Sequence, residues 1–544
     1  MTPSAMPTET AADPKAPLPR QIPYIIGNEA CERFSFYGMR NILVEFLAGS
    51  VLLAALPLID RQGHAKDIFH TFVIGVYFFP LLGGWLSDRY FGKYNTVLWF
   101  SLIYCAGHAC LALFEDNRNG FFTGLFLIAL GSGGIKPLVV SFVGDQFDQT
   151  NKHRARVVFD AFYWIINFGS FFASLLMPLV LKNWGPAWAF GIPGVLMFIA
   201  TVIFWAGRRQ YVNVPPSGPD PNSFLSVVRT ALRTGSPGPG TVIAGLGIAA
   251  AVLMMVLWVS GAGIWPEGWG FVITACLALG TLIGTVGWGA SLQLERARGL
   301  HPDESIDGVR AVLRILIVFA LVTPFWSLFD QKASTWVLQG GEMVMPTFSA
   351  LPDGIAAFLR GWFASPSQMQ ALNPLFVMML IPFNNIVLYP ALRRFGFNPT
   401  PLKRMAWGIA FSAVAWVIAG WIQLELDSGA QLSIGWQTWP YVLLTFGEVL
   451  VSATALEFAY SQAPHAMKGV IMAFWYLTST FGGLWVLLTN NTVRDPAVIG
   501  WIQAQGWSEN AFLMFFFAVF AMVAAAAFAL YARTYPMQDN YRKV

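Results

Sequence analysis

Asn28-Glu29-Ala30-Cys31-Glu32-Arg33-Phe34-Ser35-Phe36-Tyr37 places three ionisable side chains inside an apolar run from Ile22 to Leu58. At 3.6 residues per turn, Glu29, Glu32, Arg33 and Tyr37 share one helical face, at steps of three and four. A charge at the centre of a membrane helix costs about 2.5–3.5 kcal/mol on insertion scales, so this face must look into a protein interior or a wet cavity. One glutamate paired with Arg33 would be an internal salt bridge that only holds helices together. A second glutamate one step away has no such structural use, and a pair of acids beside a base points to proton movement.

Few other charges fall in apolar stretches: Lys136, Asp330, Lys332, Glu448 and Glu457, with Glu45 and His70 nearer the ends. Lys136 sits in Gly131-Ser132-Gly133-Gly134-Ile135-Lys136-Pro137, where small residues allow close helix approach and the proline loosens the backbone. It lies too deep to snorkel to water, so it needs an anion, from the opening glutamates or from a bound carboxylate. Trp326 and Asp330 align on one face, as do Glu448 and Ser452, and His70 and Tyr77. Glu448 and Glu457 lie on opposite sides of their helix, which puts Glu448 inside and Glu457 near the cytoplasmic end. His70 is expected at the outer mouth of its span, as an interfacial hydrogen-bonding residue rather than a proton relay, with pH sensing as its other possible role.

The elements that position these groups are membrane helices. Of 544 residues, 56% are hydrophobic and 11% charged, and the mean hydropathy is +0.56. An ordinary soluble domain carries roughly 25% charged residues, so this is an all-α, polytopic membrane protein rather than a barrel. Spans are expected near 22–53, 68–87, 95–114, 121–145, 158–181, 187–207, 241–262, 268–293, 311–339, 371–392, 403–424, 437–461, 467–490 and 510–533, about fourteen helices. Lys/Arg-bearing segments alternate with poor ones, which by the positive-inside rule puts both termini in the cytoplasm. Residues 1–20 are polar and Pro-rich, an expected disordered tail. The four cysteines all lie in apolar stretches and are read as packing residues.

A Pro/Gly/Ser-rich linker from Arg208 to Gly240, helical only around Arg229 and Arg233, divides the chain after six helices. The two spans that follow carry no charge in their interiors and are expected to form an inserted lipid-facing hairpin. The expected units are a tail (1–20), a six-helix bundle (21–208), linker and hairpin (209–300), a second six-helix bundle (301–535) and a tail (536–544). Two six-helix halves are the pattern of the major facilitator superfamily, whose site lies between them near the midplane. Gly83-Gly84-Trp85-Leu86-Ser87-Asp88-Arg89-Tyr90-Phe91-Gly92-Lys93 resembles that superfamily's cytoplasmic loop signature.

Four motifs in order resemble the proton-dependent oligopeptide transporters of this superfamily. They are Glu29-x-x-Glu32-Arg33-Phe34-x-Phe36-Tyr37; Gly134-Ile135-Lys136-Pro137 with Phe142-Val143-Gly144-Asp145-Gln146-Phe147; Phe162 through Ser170; and Glu457-Phe458-Ala459-Tyr460-Ser461-Gln462-Ala463-Pro464. The resemblance implies a proton-coupled symporter importing di- and tripeptides by alternating access, not an enzyme, in a bacterial inner membrane. It implies Arg33 and Lys136 at the peptide carboxylate, Tyr37 and Tyr77 as pocket walls, and Asn167, Asn373 and Glu448 at the amino end. Ser452, Trp326 and Trp475 would line side-chain pockets, and Asp330 would serve gating and protonation together with Glu29, Glu32, Arg33 and Lys136. Phe36 departs from the tyrosine common in the family and loses its hydroxyl. The expected partners are small peptides and the lipid bilayer, with no nucleic acid; protons are the coupling ion, no cofactor or metal is implied, and the monomer is the expected working unit. A membrane enzyme using Glu29 and Glu32 as an acid–base pair lacks the accompanying nucleophile or metal-spaced histidines. A carrier for nitrate or other small acids would leave Glu448, suited to an amino group, without a use.

Overall fold

The computed structural model describes residues 18–147, 151–216, 218, 220–262, 269–397, 400–455, 458, 462 and 467–536. Residues 1–17 of the expected amino-terminal tail, the carboxy-terminal tail from 537, the hairpin turn at 263–268, Glu457 and most of its motif lie outside the described residues. Among the described residues there is no β-strand, only two isolated bridges.

The amino-terminal half is built from α1 (Ile22–Gly49), α2 (Leu58–Phe78), α3 (Pro80–Leu86), α4 (Gly92–Leu113), α5 (Arg118–Asp145), α6 (Lys152–Trp184) and α7 (Pro186–Ala206). A short helix α8 (Phe224–Arg233) leads to the hairpin α9 (Pro239–Val259) and α10 (Gly270–Gln293). The other half holds α11 (Asp303–Asp330), α12 (Thr335–Gly341), α13 (Asp353–Trp362), α14 (Leu372–Phe383), α15 (Tyr389–Arg394), α16 (Pro401–Asp427), α17 (Thr438–Glu448), α18 (Lys468–Val493), α19 (Pro496–Ala504) and α20 (Glu509–Thr534). Eleven helical stretches among the described residues are long and apolar enough to cross a membrane. The expected fourteen is not reached by that measure. The charges of α1 exclude it, the expected span 437–461 is not among the eleven, and Asp60–Leu113 counts as one stretch although Gly92, at φ 72°, breaks its course in the left-handed region.

Two separate apolar cores form. One joins α1, α2, α4, α5 and α7, with Phe36, Phe69, Phe121, Phe142, Phe190 and Phe204 among its large buried rings. The other joins α8, α11, α16, α17, α18 and α20 around Trp336, Trp416, Tyr441 and Phe325. The seam between them is more polar, though Ala333 and Leu338 of the second half pack on the first core. A third, smaller cluster crosses it, where Ile74 of α2 meets Leu484 and Leu487 of α18 and Ile273 and Cys276 of α10.

Two sequence expectations are refined. The linker helix does form, but Phe224, Val227, Val228 and Ala231 are buried against Ala297, Ile306 and Val309, so it belongs to the second core. Within the hairpin, α9 is broadly exposed, at Val242, Leu246, Val252 and Val256, as a lipid-facing helix should be. Its partner α10 instead packs on α18, with Gly280 close to Phe481.

The Gly131–Pro137 stretch shows why glycine is needed there. A Cβ on Gly133 would sit 2.6 Å from the Phe79 backbone carbon, and one on Gly131 2.7 Å from the Cβ of Tyr104. These contacts seat α5 directly on the helix turn before α3 and on α4, which fixes the depth at which Lys136 projects.

Candidate functional site

On α1, Glu29, Glu32 and Arg33 are all buried. Arg33 Nε lies 2.9 Å from Glu29 Oε1 and in direct contact with the Glu32 carboxylate. The other oxygen of Glu32, Oε1, is buried without a hydrogen-bond partner among the described residues. Lys136 was expected to need an anion. Its Nζ sits instead 3.5 Å from the centre of the Phe36 ring and 4.9 Å from that of Tyr77, and among the described residues it has no ion-pair partner. The faces of two rings attract a cation at a cost to neither, and the phenyl group of Phe36 supplies one of them. An ammonium held this way stays open to an incoming anion.

Across the seam, Lys332 Nζ donates to Asn373 Oδ1 at 2.7 Å, and Asn373 Nδ2 donates to Glu448 Oε2 at 2.6 Å and Thr445 Oγ1 at 3.0 Å. Asn373 thus joins a cation and an anion into one chain. Tyr37 meets the Phe36 ring edge to face at 5.3 Å. Trp326 and Trp475 meet edge to face at 5.8 Å, because Gly482 lets α18 approach the Trp326 Cβ closely. Ser452 lies in a π-helical turn, Val449–Ala453, with its hydroxyl buried and without a hydrogen-bond partner among the described residues. Asn167 donates to Tyr163 O at 3.0 Å within α6.

A set of cations on one half facing a carboxylate on the other is the arrangement for holding a solute with charges at both ends. The family model described as PTR2, POT family, matches residues 94–263 and 290–507. The chain belongs to the POT family. It is similar to peptide transporter 3 of Caenorhabditis elegans, 32% identical over 426 residues, covering 75% of this chain and 51% of that protein. It is also similar to solute carrier family 15 member 1 of Homo sapiens, 30% identical over 434 residues, covering 75% of this chain and 52% of that one. The chain therefore spans about half the length of the curated relatives it matches. Among solved structures it is similar to an auto-inhibited POT family peptide transporter, at 63% identity and TM-score 0.90, covering 97% of this chain and 99% of that one. The POT family transporter PepTSo matches at 60% identity and TM-score 0.89, over 97% and 100%. The fold is that of the POT transporters: an all-α membrane protein of the major facilitator type.

In this POT-family chain, among the described residues, the side-chain bonds that tie the halves gather at the end where α1 finishes. Arg40 Nη2 contacts Asp330 Oδ1 at 2.7 Å, and Ser479 donates to Asp330 Oδ2 at 3.1 Å. Arg494 Nη1 lies 2.6 Å from Asp67 Oδ2, and Asn490 donates to Asp67 Oδ1. Glu45 accepts from Ser365, at 2.7 Å, and from Ser367. Gln370 donates to the Asn41 carbonyl at 2.9 Å. This end is closed.

His70 was expected at an outer mouth. It is fully buried here, with Nε2 3.0 Å from Ser334 Oγ, because the opposite half covers its depth of α2. Sequence reasoning missed Arg40, although it lies seven residues beyond Arg33 and so continues the same helical face. It gave Lys332 no role, since nothing local to Lys332 reveals Asn373. Asp67 and Arg494 were missed for the same reason.

Replacing Asp330 by Asn leaves Arg40 a buried cation without its anion, a change worth about 3–5 kcal/mol in other proteins. The closed end should then open. Spin labels at Val51→Cys and Trp436→Cys, in a background without the native cysteines, should show a longer distance distribution in Asp330→Asn than in the parent. An unchanged distribution would deny the pair a latching role.

Proposed function

We propose that this chain is a proton-coupled symporter that imports di- and tripeptides by alternating access, without a cofactor, as a monomer. The working units are the bundles 21–208 and 301–535, with 209–300 as linker and inserted hairpin. The setting is a bacterial inner membrane with both termini cytoplasmic, supported by the alternation of Lys/Arg-bearing segments. The closed end then faces the periplasm.

The observation that carries this reading is that Arg33 is shared by two buried glutamates while Lys136 beside it is held by ring faces and makes no ion pair among the described residues. A peptide carboxylate arriving at Lys136 and Arg33 competes for the cation the glutamates need. A carboxylate that loses its partner in a low-dielectric site favours its neutral form, so it takes up a proton. With the charge balanced, the halves can rock and open inward. When the peptide leaves, Arg33 returns to the glutamates and the proton is released.

Glu448 supplies the other pole. The peptide ammonium replaces Lys332 as the cation bound through Asn373 and Glu448, and Asn167 of the opposite half is assigned to the same amino end. Tyr37, Tyr77, Trp326, Ser452 and Trp475 form walls that make few demands on side chains, which suits a substrate recognised by its termini. Asp330, held by Arg40, is the gate residue that also feels the charge state of the site, and His70 at the same seam is assigned to pH sensing.

Labelled dialanine uptake into liposomes carrying the purified chain tests the reading. A gradient with the lumen alkaline should concentrate the peptide inside, and collapse of the gradient should end the accumulation. Equal uptake with and without the gradient would overturn proton coupling.

A further inference from the structure

A cavity lies away from the seam, between α10 of the hairpin and the outer faces of α11 and α18. Its volume is about 840 Å³, within the roughly 300–1,000 Å³ of sites that hold small molecules. Ile283, Trp288, Leu313, Ile317, Phe319 and Phe481 give it an apolar wall. It follows α11 from Arg310 to Thr323, about 20 Å at 1.5 Å per residue, which exceeds half the ~30 Å hydrocarbon thickness of a bilayer.

Two features keep the groove open. The wall of α10 that faces it includes Gly280, Gly284 and Gly287 alongside Ile283 and Trp288, and a Cβ built on Gly284 meets nothing within 4 Å. The rim residues Trp288 and Ile317 are exposed, so the groove opens sideways to lipid rather than to water. At one mouth stand Arg310 and Arg314. Arg310 is taken up by Asp307, at 2.7 Å, and by Glu295. Half-buried Arg314 has no ion-pair partner among the described residues, so this mouth presents an unmatched cation at the end of an apolar slot. The same end of the molecule carries Arg229, Arg233 and Arg296, while Arg298 there is taken up by Glu295 and Asp303.

We infer that this groove holds an acyl chain of an anionic phospholipid whose headgroup phosphate sits on Arg314. The slot matches one leaflet in length, it opens where lipid is the solvent, and its one unmatched charge lies where the headgroup of that leaflet begins. It also gives the hairpin, which carries no charge in its apolar interior, a use: α10 is the outer wall of a lipid site. Phe319 lines the groove and touches the site residue Trp475 at 5.4 Å between ring centres, so the occupant packs against the back of the α11–α18 wall.

Native mass spectrometry of the purified full chain, offered equal dioleoylphosphatidylglycerol and dioleoylphosphatidylethanolamine, tests this. The parent should retain the anionic lipid about fivefold more than the zwitterionic one, the effect of roughly one cation near a membrane surface. Arg314→Gln should lose the preference while still binding both. Gly284→Leu, which fills the slot, should lose both lipids. Retention of the preference in Arg314→Gln, or of parental binding in a folded Gly284→Leu, overturns the inference. If Gly284→Leu does not insert, Arg314→Gln decides alone.

Discussion

Glu32→Gln should reduce pH-driven accumulation of dialanine to the level of protein-free liposomes while peptide counterflow persists. Glu32 is the more deeply buried of the two acids, in contact with Arg33 through one oxygen and, among the described residues, without a partner at the other. Glutamine copies the protonated carboxyl in shape and charge, so the site is fixed in the state that follows proton uptake. Exchange of one peptide for another needs no net proton movement and survives. Concentration against a gradient needs the proton to leave and return, and it fails. Glu29→Gln should behave alike, since Glu29 holds the other side of the same guanidinium at 2.9 Å. Lys136→Ala should abolish driven uptake more severely than binding, because Arg33 remains to meet the carboxylate. If both glutamate variants still concentrate dialanine in response to a pH gradient, coupling lies elsewhere, with Asp330 or His70 next in line.

The second large effect is expected at the opposite pole. Glu448→Gln removes the anion that meets the peptide ammonium, and leaving one partner of a buried pair uncompensated typically costs about 3–5 kcal/mol. That is a loss of roughly 100-fold or more in affinity for free dipeptides. Amino-acetylated dipeptides have no ammonium and should lose far less. Lys332 adds a control: in the variant it keeps its 2.7 Å bond to Asn373, so the polar chain is thinned rather than dismantled. Calorimetric or fluorescence binding that falls equally for free and blocked peptides would reject an amino-end role.

Much of this site could be read before any coordinates. Glu29, Glu32, Arg33 and Tyr37 reveal themselves through helical spacing alone, because a charge in an apolar run is already costly and three on one face need a common explanation. Gly131–Pro137 likewise announces close packing around Lys136, and the fold class follows from apolar length. What could not be read is which distant group each buried charge meets. Lys332 finds Asn373 and Glu448 only through the packing of α14 against α17, and His70 is buried only because Ser334 of the other half lies over it. Arg40 is a different case: its position on the α1 face was legible, its partner Asp330 was not. The ring contacts of Lys136 were hidden for a chemical reason, since a lysine in membrane is expected to seek an anion and two aromatic faces serve instead. The π-helical turns at Ser87–Phe91, Asn384–Leu388 and Val449–Ala453 leave no local signature that separates them from α-helix.

Proton movement driven by peptide alone is the most direct test of coupling at Glu29, Glu32 and Arg33. Liposomes carrying the chain and a pH-sensitive dye, with no imposed pH gradient, receive dialanine outside. The lumen should acidify as peptide enters, and it should not do so with Glu32→Gln or with protein-free liposomes. Entry of labelled dialanine with no change in luminal pH would contradict proton-coupled symport.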